Sequence, residues 1–403
     1  MNTEKSERAI VKNEKVLNAV YIGTLCSVAY LAVYFARNIL GAVTPLMIEE
    51  GYSESYIGKV SSVYFIFYAV GQLINGSIGD KIKARNMIAT GLFMSGVMNF
   101  LFSRISGTSQ EAALVIYGLT GFFLAMIYGP MTKVVAENTE PVYATRCSLG
   151  YTIASFLGSP LAGASAVFFA WRRVFDLSSI VLVVMAVIAF LIFKIFEKKG
   201  IVQYNLYAHK KKEQGNIKTL IKHSIIKFTV ISVLTGVIRT TVVFWMPTYI
   251  SQYLGFSSEK AAMIFTVATF VICFTAFIVI FIYERLGRNM NLTILIMFSS
   301  ASVFFALVYF TKHPLLNIIF LILAIMSSNG AACMLWSRYC PSLRDTGMVS
   351  TATGFLDFMS YMSAAASSTL FANAVTEIGW GRLILIWLVL MLVGVAVSIS
   401  YKK

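Results

Sequence analysis

The sequence predicts an all-α membrane protein of twelve transmembrane helices in two six-helix pseudo-repeats, and three observations carry that expectation. Of the 403 residues 58 % are hydrophobic and 13 % charged, with a mean hydropathy of +0.76. Apolar stretches of ~20 residues, the length that crosses a bilayer as a helix, recur along the whole chain. Two arginines interrupt long apolar runs at matching places: Arg37 and Arg239 each stand eight residues before a proline, Pro45 and Pro247.

The apolar cores, in order, are residues 17–47, 57–78, 86–105, 112–135, 145–169, 176–195, 223–250, 258–283, 290–310, 314–336, 346–374 and 381–400. Several exceed the minimum span, which implies tilt or extension beyond the bilayer. The first fifteen residues are mostly polar and the apolar run after them is too long for a signal-peptide core, so no cleavable leader is expected. With Arg37 and Arg239 set aside, 31 Lys and Arg remain, 24 on the side of the N-terminus and 7 on the other. The positive-inside rule then places both termini in the cytoplasm of a cell inner or plasma membrane, in keeping with an even helix count.

The longest connection carries Lys198, Lys199, Lys210, Lys211, Lys212 and Lys218. It divides the chain into an N-terminal bundle (1–200), a basic cytoplasmic linker (201–221) and a C-terminal bundle (222–403). The net charge of +15 therefore reads as topology rather than as a nucleic-acid surface. The lipid bilayer is the one extended partner expected, and the protein is expected to be monomeric.

The halves repeat. Beyond each proline come Gly51-Tyr-Ser53 and Gly255-Phe-Ser257, and twenty-seven residues after each serine stands an acid–base pair, Asp80-Lys81 and Glu284-Arg285. Parallel repeats about an axis normal to the membrane are a transporter plan with the site at their interface, where Arg37 and Arg239 would converge on one solute. A cation at mid-bilayer depth is tolerated mainly where it faces a cavity or a partner, which points to an anion site.

Other chemistries lack their signatures. The cysteines (Cys26, Cys147, Cys273, Cys333, Cys340) and histidines (His209, His223, His313) are scattered, so neither a disulfide framework nor a metal site is indicated. No G-x-x-x-x-G-K-[ST] phosphate loop occurs, which argues against ATP-driven transport by this chain alone. No nucleophile–base constellation suggests an enzyme, and no cofactor is expected.

Around Arg37, Tyr34 and Tyr30 lie three and seven residues earlier on the same helical face. Their hydroxyls can bond a phosphate or support the guanidinium, whose planar fork suits phosphate better than an ammonium does. Tyr68 and Tyr128 are further inward candidates. Asp357 interrupts the eleventh span in Gly354-Phe-Leu-Asp357. An acid at that depth pairs with a substrate ammonium, pairs with Arg239, or titrates as a proton carrier.

After the second span the sequence reads Gly76-Ser-Ile-Gly-Asp80-Lys81-Ile-Lys83-Ala-Arg85. This resembles the loop 2–3 motif of the major facilitator superfamily, G-x-x-x-D-[RK]-x-x-x-[RK]. It implies the major facilitator fold and a conformational latch at Gly76, Asp80, Lys81 and Arg85. Gly158-Ser-Pro160-Leu-Ala-Gly163 resembles the Gly-Pro motif of the superfamily's fifth helix, where small residues permit close packing.

More specifically, Tyr30-x-x-x-Tyr34-x-x-Arg37 with Pro45, and Arg239 followed by Trp245-x-Pro247-Thr-Tyr249, resemble the organophosphate:phosphate antiporter family. That family includes glycerol-3-phosphate and hexose-6-phosphate antiporters. The resemblance implies that Arg37 and Arg239 ligate phosphate and that organic phosphate is exchanged for inorganic phosphate.

Three positions depart from the glycerol-phosphate pattern. Asn38 and Gln72 stand where that pattern has lysines, and Ser155 where it has a histidine. These three are expected to line the site as neutral polar groups, for a less charged anion or a larger one. Alternatives are an organic anion:proton symporter using Asp357, the anion a carboxylate or sugar acid, and a transporter-like ligand sensor.

Overall fold

The computed structural model describes residues 2–79, 82–204, 217–343 and 349–399. Most of the expected basic linker, 205–216, lies outside the described residues. No strand occurs among the described residues, as a hydrocarbon solvent requires of a chain that does not close a barrel.

The N-terminal set of helices is α1 (Asn2–Glu49), α2 (Glu54–Gly79), α3 (Ala84–Ile105), α4 (Gln110–Asn138), α5 (Pro141–Phe168) and α6 (Trp171–Lys198). After the short helix Ile217–Lys222 come α7 (Ile225–Tyr253), α8 (Ser258–Arg285), α9 (Met290–Phe310) and α10 (Pro314–Tyr339). The last stretch, Val349–Ile399, is broken at Gly379 (φ 77°, ψ 165°) into α11 (349–378) and α12 (380–399). Each expected span corresponds to one of these helices within a few residues. The main difference is α1, which begins at Asn2, well ahead of its apolar run.

The lipid sets which faces are apolar. On α6, Ile180, Val184, Val187 and Leu191 recur at helical spacing and are all exposed, while Ser178, Leu182, Met185 and Ala189 of the opposite face are buried. A helix in water shows the reverse. Small and polar residues instead hold helix to helix: Gly96 of α3 lies against Ser179 and Leu182, and the amide of Asn99 donates to the Ser178 hydroxyl at 3.0 Å.

The internal repeat is spatial as well as sequential. In the N-terminal set α1 packs along α5 with partners 124 residues apart: Gly23 meets Cys147 and Tyr34 meets Gly158. In the C-terminal set α7 packs along α11 with the same offset: the Ser232 hydroxyl donates to the Leu356 carbonyl (2.7 Å, 124 residues apart), and Gly236 meets Ser360. The turns between first and second helices also match. Gly51 (φ 94°) and Gly255 (φ 75°) both adopt the left-handed backbone that favours glycine. Ser53 and Ser257 then accept from the amides of Tyr56 and Lys260, capping α2 and α8.

Contacts between the two sets cluster at or beyond the level of Arg37, toward the Glu49 end of α1. Gly41 abuts Phe244, and Gly58 abuts Ala372 so closely that an added Cβ would lie 2.4 Å from the alanine methyl. Ser55 donates to Asn373 (3.0 Å), Ser62 to the Ala365 carbonyl (2.5 Å), and Gln252 to Glu54 (2.7 Å). Ser258 donates to Glu49. Toward the end that carries the termini the packing opens: none of the described residues lies within 4 Å of where a side chain on Gly129 of α4 or Gly354 of α11 would begin.

Candidate functional site

Arg37 sits on α1 among four aromatic rings. Its guanidinium carbon lies 4.8 Å from the Tyr361 ring centre, 5.2 Å from Tyr34, 5.2 Å from Tyr68 and 5.9 Å from Phe65. These rings come from α1, α2 and α11, so the cage spans both sets of helices. One guanidinium N–H donates to the Tyr361 hydroxyl at 2.8 Å. Ring faces are the negative pole of the aromatic quadrupole, which lets them hold a cation where water is scarce. Arg37 remains partly accessible, so the cage is open on one side.

The regular helix of α1 carries Tyr30 onto the same face, its ring 4.9 Å from that of Tyr34. Tyr128 of α4 (5.5 Å) and Tyr151 of α5 (6.0 Å) pack against Tyr30. Tyr30 and Tyr151 are buried, whereas Tyr128 is 39 % exposed and is the ring that meets the open space. Asn38 follows Arg37 on α1, and its side-chain amide donates to the Tyr34 carbonyl at 2.7 Å. One of its donors is therefore committed to its own helix.

Arg239 reaches the same region from α7. The helix does not stay regular there: residues Val237–Val242 form a π-helical turn, and Tyr249–Tyr253 form a second. Such turns insert an extra residue into the helical register and re-aim side chains, and they recur at functional positions. Arg239 is partly accessible and makes no hydrogen bond or ion pair among the described residues. The turn that bears it packs on α11: Gly236 meets Ser360, and the Thr241 hydroxyl lies 2.8 Å from that of Ser367.

Asp357 and Tyr361 lie one turn apart on α11, so Asp357 shares the helix face on which the Tyr361 hydroxyl accepts from Arg37. Asp357 forms no ion pair within 4.0 Å of either arginine. Two arginines and one aspartate are thus held within the helix bundle, a local excess of positive charge where an isolated cation is costly.

The remaining expected positions flank this centre. Gln72 is one turn beyond Tyr68 on α2 and partly buried. Ser155 lies between Tyr151 and Gly158 on the α5 face turned to α1, partly buried. By the repeat offset it is the counterpart of Asp357, as Arg37 is of Arg239. Of the latch, Asp80, Lys81 and the surroundings of Gly76 lie outside the described residues. Arg85 bonds Glu197 of α6 at 2.7 Å and stacks over Phe190 (4.8 Å). Among the described residues its side chain bonds within the N-terminal set of helices, and its backbone amide donates to the hydroxyl of Tyr204 just beyond it at 3.4 Å.

Sequence reasoning missed Tyr361, Phe65 and Tyr151. Tyr361 carried a readable signal, since it stands four residues after Asp357, the acid that interrupts the apolar run of its helix, and so shares its face. Phe65 and Tyr151 carried none, because aromatic residues are common in membrane helices.

Among the described residues, twelve helices pack around two arginines and an aspartate, which defines a polytopic integral membrane protein with charge held inside its bundle. The chain belongs to the Major Facilitator Superfamily, whose sequence profile matches residues 26–368. It is 23 % identical over 383 residues to the glycerol-3-phosphate transporter of Bacillus subtilis (strain 168), covering 88 % of this chain and 84 % of that protein. It is 23 % identical over 403 residues to the phosphoglycerate transporter protein of Salmonella typhimurium, covering 91 % and 84 %. Among solved structures, a D-xylose-proton symporter superposes with a TM-score of 0.75 at 12 % identity, covering 95 % of this chain and 98 % of that one. That likeness establishes the fold; the curated relatives bear out the resemblance to the organophosphate antiporters.

Proposed function

We propose that this protein is a secondary transporter that carries organic phosphate across the cell inner or plasma membrane in exchange for inorganic phosphate. Arg37 and Arg239 bind the anion. The observation that carries the reading is their matching placement against α11: Arg37 bonds Tyr361, the turn that bears Arg239 packs on Ser360 and Ser367, and among the described residues neither arginine contacts a carboxylate. A phosphate bridging them would satisfy both guanidinium forks with charge-assisted hydrogen bonds. The relatives named for glycerol-3-phosphate and phosphoglycerate transport support phosphate esters as the solute class.

The mechanism is rocking of residues 1–200 against 222–403 about this site, with 201–221 as the linker. With both termini in the cytoplasm, the open end at Gly129 and Gly354 faces inward, and the contacts of Gly41, Gly58 and Glu49 form the closed outer gate. The empty carrier crosses slowly because two unpaired cations resist occlusion in a low dielectric. Tyr30, Tyr34, Tyr68, Tyr128, Asn38, Gln72 and Ser155 complete the binding surface, and the Gly76–Arg85 segment latches one conformation. The carrier works as a monomer.

The test is counterflow in proteoliposomes. Vesicles loaded with inorganic phosphate should take up at least one of a panel of labelled phosphate esters (glycerol 3-phosphate, 3-phosphoglycerate, phosphoethanolamine), and unloaded vesicles should not. Uptake driven by a pH gradient without internal phosphate, and lost in Asp357→Asn, would replace exchange with proton symport. Binding without flux would mark a ligand sensor. Orientation is checked separately: single cysteines at Lys211 and Lys402, in a background without reactive thiols, should label only from the cytoplasm.

A further inference from the structure

We propose that the cavity is built for a zwitterionic solute, an organic phosphate that also bears an ammonium group. Its phosphate lies on Arg37 and Arg239, and its ammonium lies between Asp357 and the Tyr128 ring. This rests on the phosphate-site reading above and adds the identity of the solute's other end.

The first argument is the charge pattern along the cavity. Tyr361 holds Arg37 at the closed end of the space. Asp357 stands one turn of α11 nearer the opening at Gly354, and Tyr128 immediately precedes Gly129 at the opening of α4. Tyr128 joins the same centre through Tyr30, whose ring lies 5.5 Å from it and 4.9 Å from the Tyr34 ring that borders Arg37. The space is therefore positive at depth and, nearer its mouth, negative and aromatic. A carboxylate beside an accessible aromatic ring is the combination that recognises an ammonium group.

Charge balance is the second argument. Two guanidinium groups and one carboxylate leave a surplus of one positive charge. A phosphate ester dianion alone would overshoot it and set its second charge against Asp357. The same ester with an ammonium group carries one net negative charge and brings the occluded cavity to neutrality, which low-dielectric closure favours. A helical turn rises ~5.4 Å, so the two solute charges belong on a short linker of a few atoms.

The third argument is that Asp357 is otherwise unused. It contacts neither arginine within 4.0 Å, so an internal ion pair does not account for an acid at that depth.

The test compares phosphoethanolamine with ethyl phosphate, which lacks the ammonium, using calorimetric binding to the purified full chain. Phosphoethanolamine should bind roughly tenfold or more tightly, the size expected of one charge-assisted contact. That ratio should collapse toward one in Asp357→Asn and fall several-fold in Tyr128→Leu. Melting temperatures without ligand report whether each variant folds, and if Asp357→Asn does not, the wild-type ratio and Tyr128→Leu decide. Equal binding of the two esters, or a preference that survives Asp357→Asn, overturns the zwitterion assignment and leaves the phosphate site standing. Failure of both esters and of inorganic phosphate to bind overturns the phosphate site and this inference together.

Discussion

Arg37 and Arg239 hold the same place in two repeats, yet their surroundings differ. Arg37 rides a regular α-helix, is enclosed by Tyr34, Phe65, Tyr68 and Tyr361, and donates to the Tyr361 hydroxyl. Arg239 rides a π-helical turn and has neither cage nor direct hydrogen bond among the described residues. The first cation is held by the fold before any solute arrives; the second is held in place chiefly by its backbone. Duplication thus preserved the charge and its depth while each half solved desolvation differently. A pre-ordered arginine costs little to organise on binding, and an unsatisfied one gains the most from its ligand. Under the proposed anion site, this asymmetry divides the work between positioning and attraction.

The comparison can be broken at three levels. The largest effect is expected in the solute itself. Arg37→Lys and Arg239→Lys keep the charge but lose the planar fork, and each should weaken anion binding by one to two orders of magnitude, about 1.5–3 kcal/mol. The double variant should lose less than the two single losses combined, because contacts to one shared group are coupled. Wild-type affinity in two well-folded lysine variants would end the anion-site reading.

The next effect separates the two arginines without ligand. Arg37→Gln empties an aromatic cage whose cation–π contacts are worth up to about 2 kcal/mol when desolvated, so the ligand-free melting temperature should drop by a few degrees. Arg239→Gln removes a cation with no direct partner, so its melting temperature should hold or rise. Equal losses in both variants would show that the two environments are energetically alike.

The smallest effect isolates one hydrogen bond. Tyr361→Phe keeps the ring over Arg37 and deletes the acceptor 2.8 Å from its N–H. Anion affinity should fall several-fold, well short of either lysine variant, with the ligand-free melting temperature nearly unchanged. A loss as large as that of Arg37→Lys would move Tyr361 from a support of Arg37 to a direct ligand of the solute.

Much of this was legible in the chain. Hydropathy determined the helices because a hydrocarbon solvent leaves each span a single way to satisfy its backbone. The repeated Arg-x7-Pro spacing, the two turn glycines and the equal distances to the acid–base pairs disclosed the duplication, since local spacing survives where identity has drifted. Arg37, Arg239 and Asp357 stood out because charge is rare at that depth. What the chain could not disclose was who faces whom. Tyr361 and Phe65 look like any aromatic residues of a membrane helix, and they enclose Arg37 because α2 and α11 meet there across the interface. The π-helical turn under Arg239 leaves no mark in its residues, and helix packing decides it. That Asp357 forms no ion pair with either arginine is likewise a property of the assembled bundle. Composition and period govern each helix separately, whereas the cavity is made by residues hundreds of positions apart, and only their packing decides which side chains share it.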